Sequence, residues 1–267
     1  MRAELVPDMT ERVYALVACA AGQPDVKAAV EANHDDNRWW PLSVSDWRVR
    51  MTVAGWSTRV SYAMIDTYSG VVSRADALGW DRLAALDDGE ATALVRPLGL
   101  AASRVRYLRS LAGFVAAADA GGTDLAGMQP AELVRVLATG ISGAGYKVAQ
   151  CAALYARGYH CGIIPADSGM VTKLAPFLGI SLSAGPAAHE ELRQLLEAST
   201  TAMAGRYRDL ATRLGYQVTI PDEAPPTWLV HLVLIYFKRL YLNKPPADLC
   251  QVRPACDAFL DCQCPAS

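Results

Sequence analysis

Apolar residues recur along most of the chain three and four positions apart, which is the spacing of amphipathic helices. The stretch 227–242 is apolar on nearly every side, and this predicts a buried helix. Glycine and proline separate the periodic stretches. The pattern therefore predicts an all-α protein. The predicted helices cover residues 9–21, 44–68 (one helix or a pair), 76–89, 90–96, 103–118, 130–138, 146–157, 169–178, 187–214 and 227–242.

The short segment between the helices 130–138 and 146–157 carries candidate chemistry. Gly143 and Gly145 stand at this corner, where glycine permits positive φ and close backbone approach. The unpaired amides at the start of the second helix form an anion site. Lys147 lies in the first turn of that helix, where the positive end of the helix dipole disfavours an ammonium. This position is unusual for a structural lysine and favours a reactive amine.

The segment Gly143-Ala-Gly145-Tyr-Lys147 is followed, twenty residues after its lysine, by Asp167. This arrangement resembles the helix-hairpin-helix DNA glycosylases of the endonuclease III type. Their hairpin reads Leu-Pro-Gly-Val-Gly-x-Lys, and a Val-Asp-Thr-His segment follows it. Upstream, the segment Arg96-Pro-Leu-Gly-Leu100 is similar to the family's Ile-Gly-Leu loop, and the predicted helix 103–118 is similar to the helix that follows that loop.

The resemblance implies two helical subdomains that flank a cleft, with a helix-hairpin-helix motif and a C-terminal cysteine-rich loop. Residues 42–182 would form the glycosylase-like core. Residues 1–41 and 183–267 would together form the second subdomain.

The activity that the resemblance implies is that of a DNA glycosylase with AP lyase activity in base excision repair. Lys147 is the expected nucleophile at C1′ of the sugar, and Asp167 is the expected assisting carboxylate. Gly143 and Gly145 are expected to bind a backbone phosphate through their amides. The expected partner is double-stranded DNA with a lesion or modified base, bound by a monomer.

Two further residues stand where the family contacts DNA, and a basic helix face supplies a third candidate contact. Leu100 matches the wedge that enters the duplex, although an ordinary loop leucine is the alternative. Trp56 replaces a glutamine that fills the hole left by the flipped nucleotide, so a stacking plug and a core tryptophan both remain open. Arg104, with Arg106 and Arg109, is expected on the polar side of its helix, where it either follows phosphates or is solvated.

Several features depart from the family pattern. Gly169 stands where the family commonly has histidine, and the helix 187–214 is hard to match. The net charge of −2 and the pI of about 6.1 provide no global attraction to nucleic acid. Two alternatives therefore stay open. One is an enzyme that acts on a nucleoside-like small molecule or an unusual modified base, and the other is a catalytically inactive DNA-binding protein.

Four of the seven cysteines, Cys250, Cys256, Cys262 and Cys264, fall close together near the C-terminal end. In a reducing compartment such crowding favours metal over disulfides. Many relatives of the endonuclease III type carry a [4Fe–4S] cluster at this place, but with a different cysteine spacing. A cluster, a zinc site and a metal-free loop are the three alternatives. The other three cysteines, which are predicted to be buried thiols, are Cys19, Cys151 and Cys161.

Length and composition limit the size of the core and the cellular location of the protein. With 267 residues, 52% of them hydrophobic, the chain can bury one large core or two small ones. No run of about eighteen uncharged apolar residues occurs, so no membrane span is predicted. The charged N-terminal residues lack the apolar core of a signal peptide. These observations predict a cytoplasmic protein.

Overall fold

The computed structural model describes residues 7–243, and every regular element within that range is helical. The predicted all-α class is thereby confirmed. The four C-terminal cysteines lie outside the described residues. The helices, in chain order, are α1 (Pro7–Ala21), α2 (Pro24–Glu31), α3 (Trp47–Trp56), α4 (Ile65–Ala85), α5 (Asp88–Val95), α6 (Ala101–Ala120), α7 (Pro130–Gly140), α8 (Tyr146–Arg157), α9 (Ala175–Phe177), α10 (Ala187–Ala202), α11 (Ala204–Arg213) and α12 (Thr227–Phe237).

Four shorter helical turns extend these helices. Two 3₁₀ turns, Tyr62–Met64 and Arg96–Leu98, precede α4 and α6. In the second half of the chain, the π-helical turn Met170–Leu174 leads into α9, and the π-helical turn Lys238–Leu242 continues α12.

The chain divides into two compact units. The middle unit is Asp36–Cys161, and the terminal unit contains the described residues on either side of it. The resemblance placed the end of the core at residue 182, but the structure assigns the chain from Gly162 onward to the terminal unit. A contact within the terminal unit explains this assignment: the Ile164 amide donates to Glu197 of α10 at 2.9 Å.

Two of the predicted helices are divided differently in the structure. The stretch 187–214 is two helices, separated at Met203 (φ −117°, ψ 25°), where Thr201 and Gly205 are weak helix formers. The stretch 76–89 is interrupted at Gly79 (φ +69°, ψ 168°), which separates the last turns of α4 from its longer first part, and α5 begins at Asp88.

In the middle unit, α3 is the central helix and packs against α8, α4 and α6. A Cβ atom on Gly55 would lie 2.2 Å from the Tyr107 ring, so only glycine lets α3 and α6 approach this closely. The buried hydroxyl groups of Tyr107 and Tyr68 each donate at 3.0 Å to a backbone carbonyl of α3, those of Met51 and Val53. These bonds satisfy both phenols inside the core.

In the terminal unit, every residue of α12 is buried, as its apolar sequence predicted. This helix packs against α1, α2 and α10. The Trp228 indole donates at 2.7 Å to the carbonyl of His34, and the Tyr216 hydroxyl donates at 2.9 Å to that of Ala21. Both bonds tie the C-terminal half of this unit to its N-terminal helices.

Candidate functional site

The corner between α7 and α8 is a tight turn with an open outer surface. Gly143 has φ +88°, a conformation that favours glycine, whereas Gly145 has an ordinary φ of −59°. A Cβ atom on either residue would meet no atom within 4 Å. The backbone of both glycines is therefore accessible, and only Gly143 needs glycine for its conformation.

The inner side of the same turn is fixed to α6. The Ser142 amide donates to the hydroxyl of Ser110 at 2.8 Å. A Cβ atom on Gly140 would lie 2.6 Å from the Phe114 ring, so the end of α7 contacts that ring closely. Ile141 is also buried. The inner side of the turn is therefore packed against the protein, whereas Gly143 and Gly145 on its outer side are exposed.

Lys147 is the second residue of α8 and is half-buried. The first turn of α8 contains no acidic residue. Across residues 7–243, no hydrogen-bond or ion-pair partner is found for the Lys147 amine. An amine beside exposed amides at a helix start, with no carboxylate in contact, is available to an incoming group.

Asp167 lies in the terminal unit, where it contacts Met170 and Lys238. Its Oδ1 atom accepts a hydrogen bond from the Met170 amide at 2.8 Å, so it caps the π-helical turn. Its Oδ2 atom forms an ion pair with the Lys238 amine. The Lys238 side chain is 5% exposed and that of Asp167 is 29% exposed, so the carboxylate retains an edge toward solvent.

The sequence pattern does not identify the partner of Asp167. The position of Lys238 predicts a cation at a helix end, but the residue is buried and paired with a carboxylate 71 positions earlier. The available signal was a lysine directly after an apolar helix, because a buried cation requires a partner.

The Lys238 side chain also explains why residue 169 is a glycine. A Cβ atom on Gly169 would lie 3.0 Å from Cδ and 3.1 Å from Nζ of Lys238. The space that a side chain at this position would need is therefore filled by the lysine.

Helix α10 holds the loop that carries Asp167. His189 Nδ1 is hydrogen-bonded to the Ala166 carbonyl at 2.7 Å, and Glu197 accepts the Ile164 amide. Burial raises the pKa of Glu197 to about 7, while the Arg193 guanidinium that contacts it acts in the opposite direction. The helix that has no clear match in the family thus supports the candidate carboxylate.

Two of the predicted DNA contacts are corrected by burial. Trp56 is fully buried, and its indole donates at 3.2 Å to the Arg104 carbonyl, so it is a core residue and not a plug. Arg104 is 4% exposed, so its expected place on a polar helix face is wrong. Of the other two arginines, Arg106 is exposed and Arg109 pairs with Asp88.

Leu100 has the accessibility that a wedge needs. It is 49% exposed and directly precedes α6, in the left-handed conformation (φ 51°, ψ 35°). The predicted contact with a duplex stays a prediction.

The three scattered cysteines differ in burial. Cys151 is buried, as predicted, whereas Cys19 and Cys161 are half-buried. Burial raises the pKa of the Cys19 thiol. Among residues 7–243, no three side chains of the metal-binding types come together as a candidate metal site.

Comparisons of the chain with protein-family models, with curated proteins and with solved structures give no match. Within residues 7–243, none of the helices combines the length and the apolar character that a membrane span requires.

Proposed function

We propose that the protein is a DNA glycosylase with AP lyase activity, which removes a damaged or modified base from double-stranded DNA. The observation that carries this proposal is the half-buried Lys147 amine at the start of α8, without an ion-pair partner among residues 7–243. Beside it, the accessible backbone of Gly143 and Gly145 offers amides suited to a phosphate. The proposed nucleophile and the proposed anion site thus lie within five residues of each other in the sequence.

In the proposed reaction, the neutral Lys147 amine attacks C1′ and its lone pair forms the new C–N bond. The bond between C1′ and the base breaks, and the base leaves with that electron pair and takes up the proton that the attacking nitrogen releases. Ring opening gives a Schiff base, and loss of a proton from C2′ then expels the 3′ phosphate. The first turn of α8 contains no carboxylate that would pair with this amine.

Asp167 is the proposed carboxylate that stabilises the positive charge developing on the sugar. Its exposed edge supports this role, because the carboxylate is not sealed by its contacts with Met170 and Lys238.

Strand cleavage of lesion-containing oligonucleotides tests the proposal. Lys147→Ala should abolish cleavage and leave DNA affinity within about twofold, because a single amine contributes little to binding. Lys173→Ala, at an exposed lysine of the terminal unit, is the control and should cleave at the wild-type rate. Wild-type cleavage by the Lys147 variant contradicts the assignment.

A second candidate function is an enzyme that acts on a nucleoside-like small molecule. The buried Lys238 beside Asp167, in space made by Gly169, is the observation that favours it, because the family pattern has a histidine at that position. Borohydride treatment with a modified nucleoside, in place of DNA, separates the two functions. An adduct with the nucleoside alone supports the small-molecule enzyme.

The resemblance also leads us to propose a [4Fe–4S] cluster on Cys250, Cys256, Cys262 and Cys264. No step of the proposed reaction passes through it. Visible absorbance with iron and sulfide analysis tests this proposal, and a protein with neither iron nor sulfide contradicts it.

A further inference from the structure

Two π-helical turns of the terminal unit, Met170–Leu174 and Lys238–Leu242, pack against each other. Such turns are rare in proteins and occur frequently at functional sites. Asp167 caps the first turn, and its carboxylate forms an ion pair with the residue that begins the second, Lys238. The proposed carboxylate of the reaction therefore lies where the two turns meet.

The Lys238 side chain lies deeper in the protein than the carboxylate that it contacts. It is 5% exposed, whereas the Asp167 side chain is 29% exposed. The other carboxylate oxygen of Asp167 accepts a hydrogen bond from the Met170 amide at 2.8 Å. A group that approaches from solvent therefore reaches the edge of the carboxylate and not the lysine.

The pair of Asp167 and Lys238 has no net charge. This holds for a carboxylate beside an ammonium and equally for a carboxylic acid beside an amine. Because Lys238 is buried, water screens its charge less than it screens the charge of a surface lysine. A group at the exposed edge of Asp167 therefore experiences the field of a dipole, which is weaker than that of a lone carboxylate.

The fold of the first turn does not require this compensation. The hydrogen bond from the Met170 amide needs only the carboxylate of Asp167. A buried ion pair often contributes no net stability, because the desolvation of both charges offsets their attraction. Gly169 nevertheless leaves the space that the Lys238 side chain fills, with the lysine Cδ atom 3.0 Å from the position of an added Cβ atom. The charge of this lysine calls for an explanation other than the cap.

Charge compensation at Asp167 has a direct consequence for the proposed release of a base. When a neutral base leaves with the bonding electron pair, the sugar becomes positive and the base becomes negative until it is protonated. A base that already carries a positive charge leaves as a neutral molecule, and its charge passes to the sugar. Only the first reaction creates separated charges, so it depends more strongly on an uncompensated carboxylate.

We propose that Lys238, acting through Asp167, restricts base release to bases that already carry a positive charge, such as purines alkylated on a ring nitrogen. The lysine determines specificity without touching the substrate. Because it compensates the carboxylate, too little stabilisation remains for the release of a neutral base. The inference rests on the proposed function and names the substrate class of the same site.

Release of two guanine derivatives from duplex DNA under single-turnover conditions tests the inference. 7-Methylguanine carries a positive charge, and 8-oxoguanine is a neutral purine of similar size. Wild-type protein should release the charged base at least about tenfold faster than the neutral one. Lys238→Gln, which removes the charge and retains a hydrogen-bond donor, should accelerate release of the neutral base about tenfold and of the charged base less than about threefold.

Two further variants separate the charge of Lys238 from its packing. Lys238→Arg retains the positive charge and should retain the wild-type ratio of the two rates. Lys173→Gln is the matched control, because it removes an exposed lysine from the turn that Asp167 caps. The Lys173 amine donates at 3.0 Å to the Leu242 carbonyl, so its loss should leave the ratio unchanged.

Cleavage of a duplex with a preformed abasic site checks that each variant is folded and retains the chemistry of Lys147. This substrate has no base to release, so its cleavage does not depend on compensation at Asp167. Lys238→Gln should cleave it within about threefold of the wild-type rate. The comparison of the two bases in wild-type protein remains decisive even if Lys238→Gln does not fold.

The outcomes distinguish this inference from the function on which it rests. A wild-type protein that does not cleave the abasic duplex overturns both. Cleavage of the abasic duplex without release of 7-methylguanine, or with equal release of both bases, overturns the inference alone. An unchanged ratio of the two rates in folded Lys238→Gln also overturns the inference alone.

Discussion

Replacing Lys238 with methionine removes the ammonium that contacts Asp167 and retains most of the aliphatic stem. Loss of one partner from a fully buried ion pair costs about 3–5 kcal/mol. The Lys238 side chain is 5% exposed, but that of Asp167 is 29% exposed, so water can solvate the remaining carboxylate. We therefore expect Lys238→Met to lower the free energy of unfolding by about 2 kcal/mol, below the fully buried range.

A double-mutant cycle isolates the interaction itself. Asp167→Asn alone loses the same ion pair while its amide oxygen still accepts from the Met170 amide. The double variant Asp167→Asn/Lys238→Met should be more stable than the sum of the single effects predicts, by about 1–3 kcal/mol. Urea unfolding at pH 7, at low and at high salt, measures each free energy.

Lys173→Met serves as the control, because this exposed lysine has the Leu242 carbonyl as its acceptor at 3.0 Å. We expect a change in unfolding free energy of less than about 0.5 kcal/mol. A coupling energy between Asp167 and Lys238 below about 0.5 kcal/mol would refute the reasoning, because the two charges would then contribute nothing to each other's stability.

Three further predictions concern close contacts and pH. Gly55→Ala should destabilise the protein by about 1–3 kcal/mol in thermal unfolding, because its Cβ atom overlaps the buried Tyr107 ring; an unchanged Tm contradicts this. Gly169→Ala should lower Tm in the wild type but not in a Lys238→Ala background, where the crowding atoms at 3.0 Å and 3.1 Å are gone; equal losses in both backgrounds contradict it. Burial raises the pKa of Glu197 from about 4.5 in the unfolded chain to about 7, so the folded state binds more protons between these values. The stability of the wild type relative to Glu197→Gln should accordingly fall as pH rises from about 5 to about 8, and a rise over that range contradicts the sign.

The helices around the candidate nucleophile were predictable because their signals are local. α7 has a strong amphipathic pattern and begins at Pro130, and α8 begins directly after Gly145. The burial of α12 followed from its apolar sequence alone. In each case the residues that determine the element lie within it.

The contacts that reverse the expected roles join residues far apart in sequence. The sequence predicts that Arg104 is an exposed arginine on a helix. In the structure it donates a hydrogen bond to the carbonyl of Thr58, 46 positions earlier. Likewise, Lys238 becomes a buried ion-pair partner only because Asp167 lies beside it in the fold. The hydrophobic periodicity of the sequence cannot reveal such pairs, because an arginine or a lysine at either position is equally compatible with exposure to solvent.

The most direct test of the central claim is to identify the residue that becomes covalently attached to DNA. Incubation with lesion-containing duplex and borohydride reduces the Schiff base to a stable amine, and mass spectrometry of the proteolysed adduct locates it. We expect a single cross-linked residue, Lys147. A cross-link at another amine, or none with a duplex that the protein binds, would contradict it.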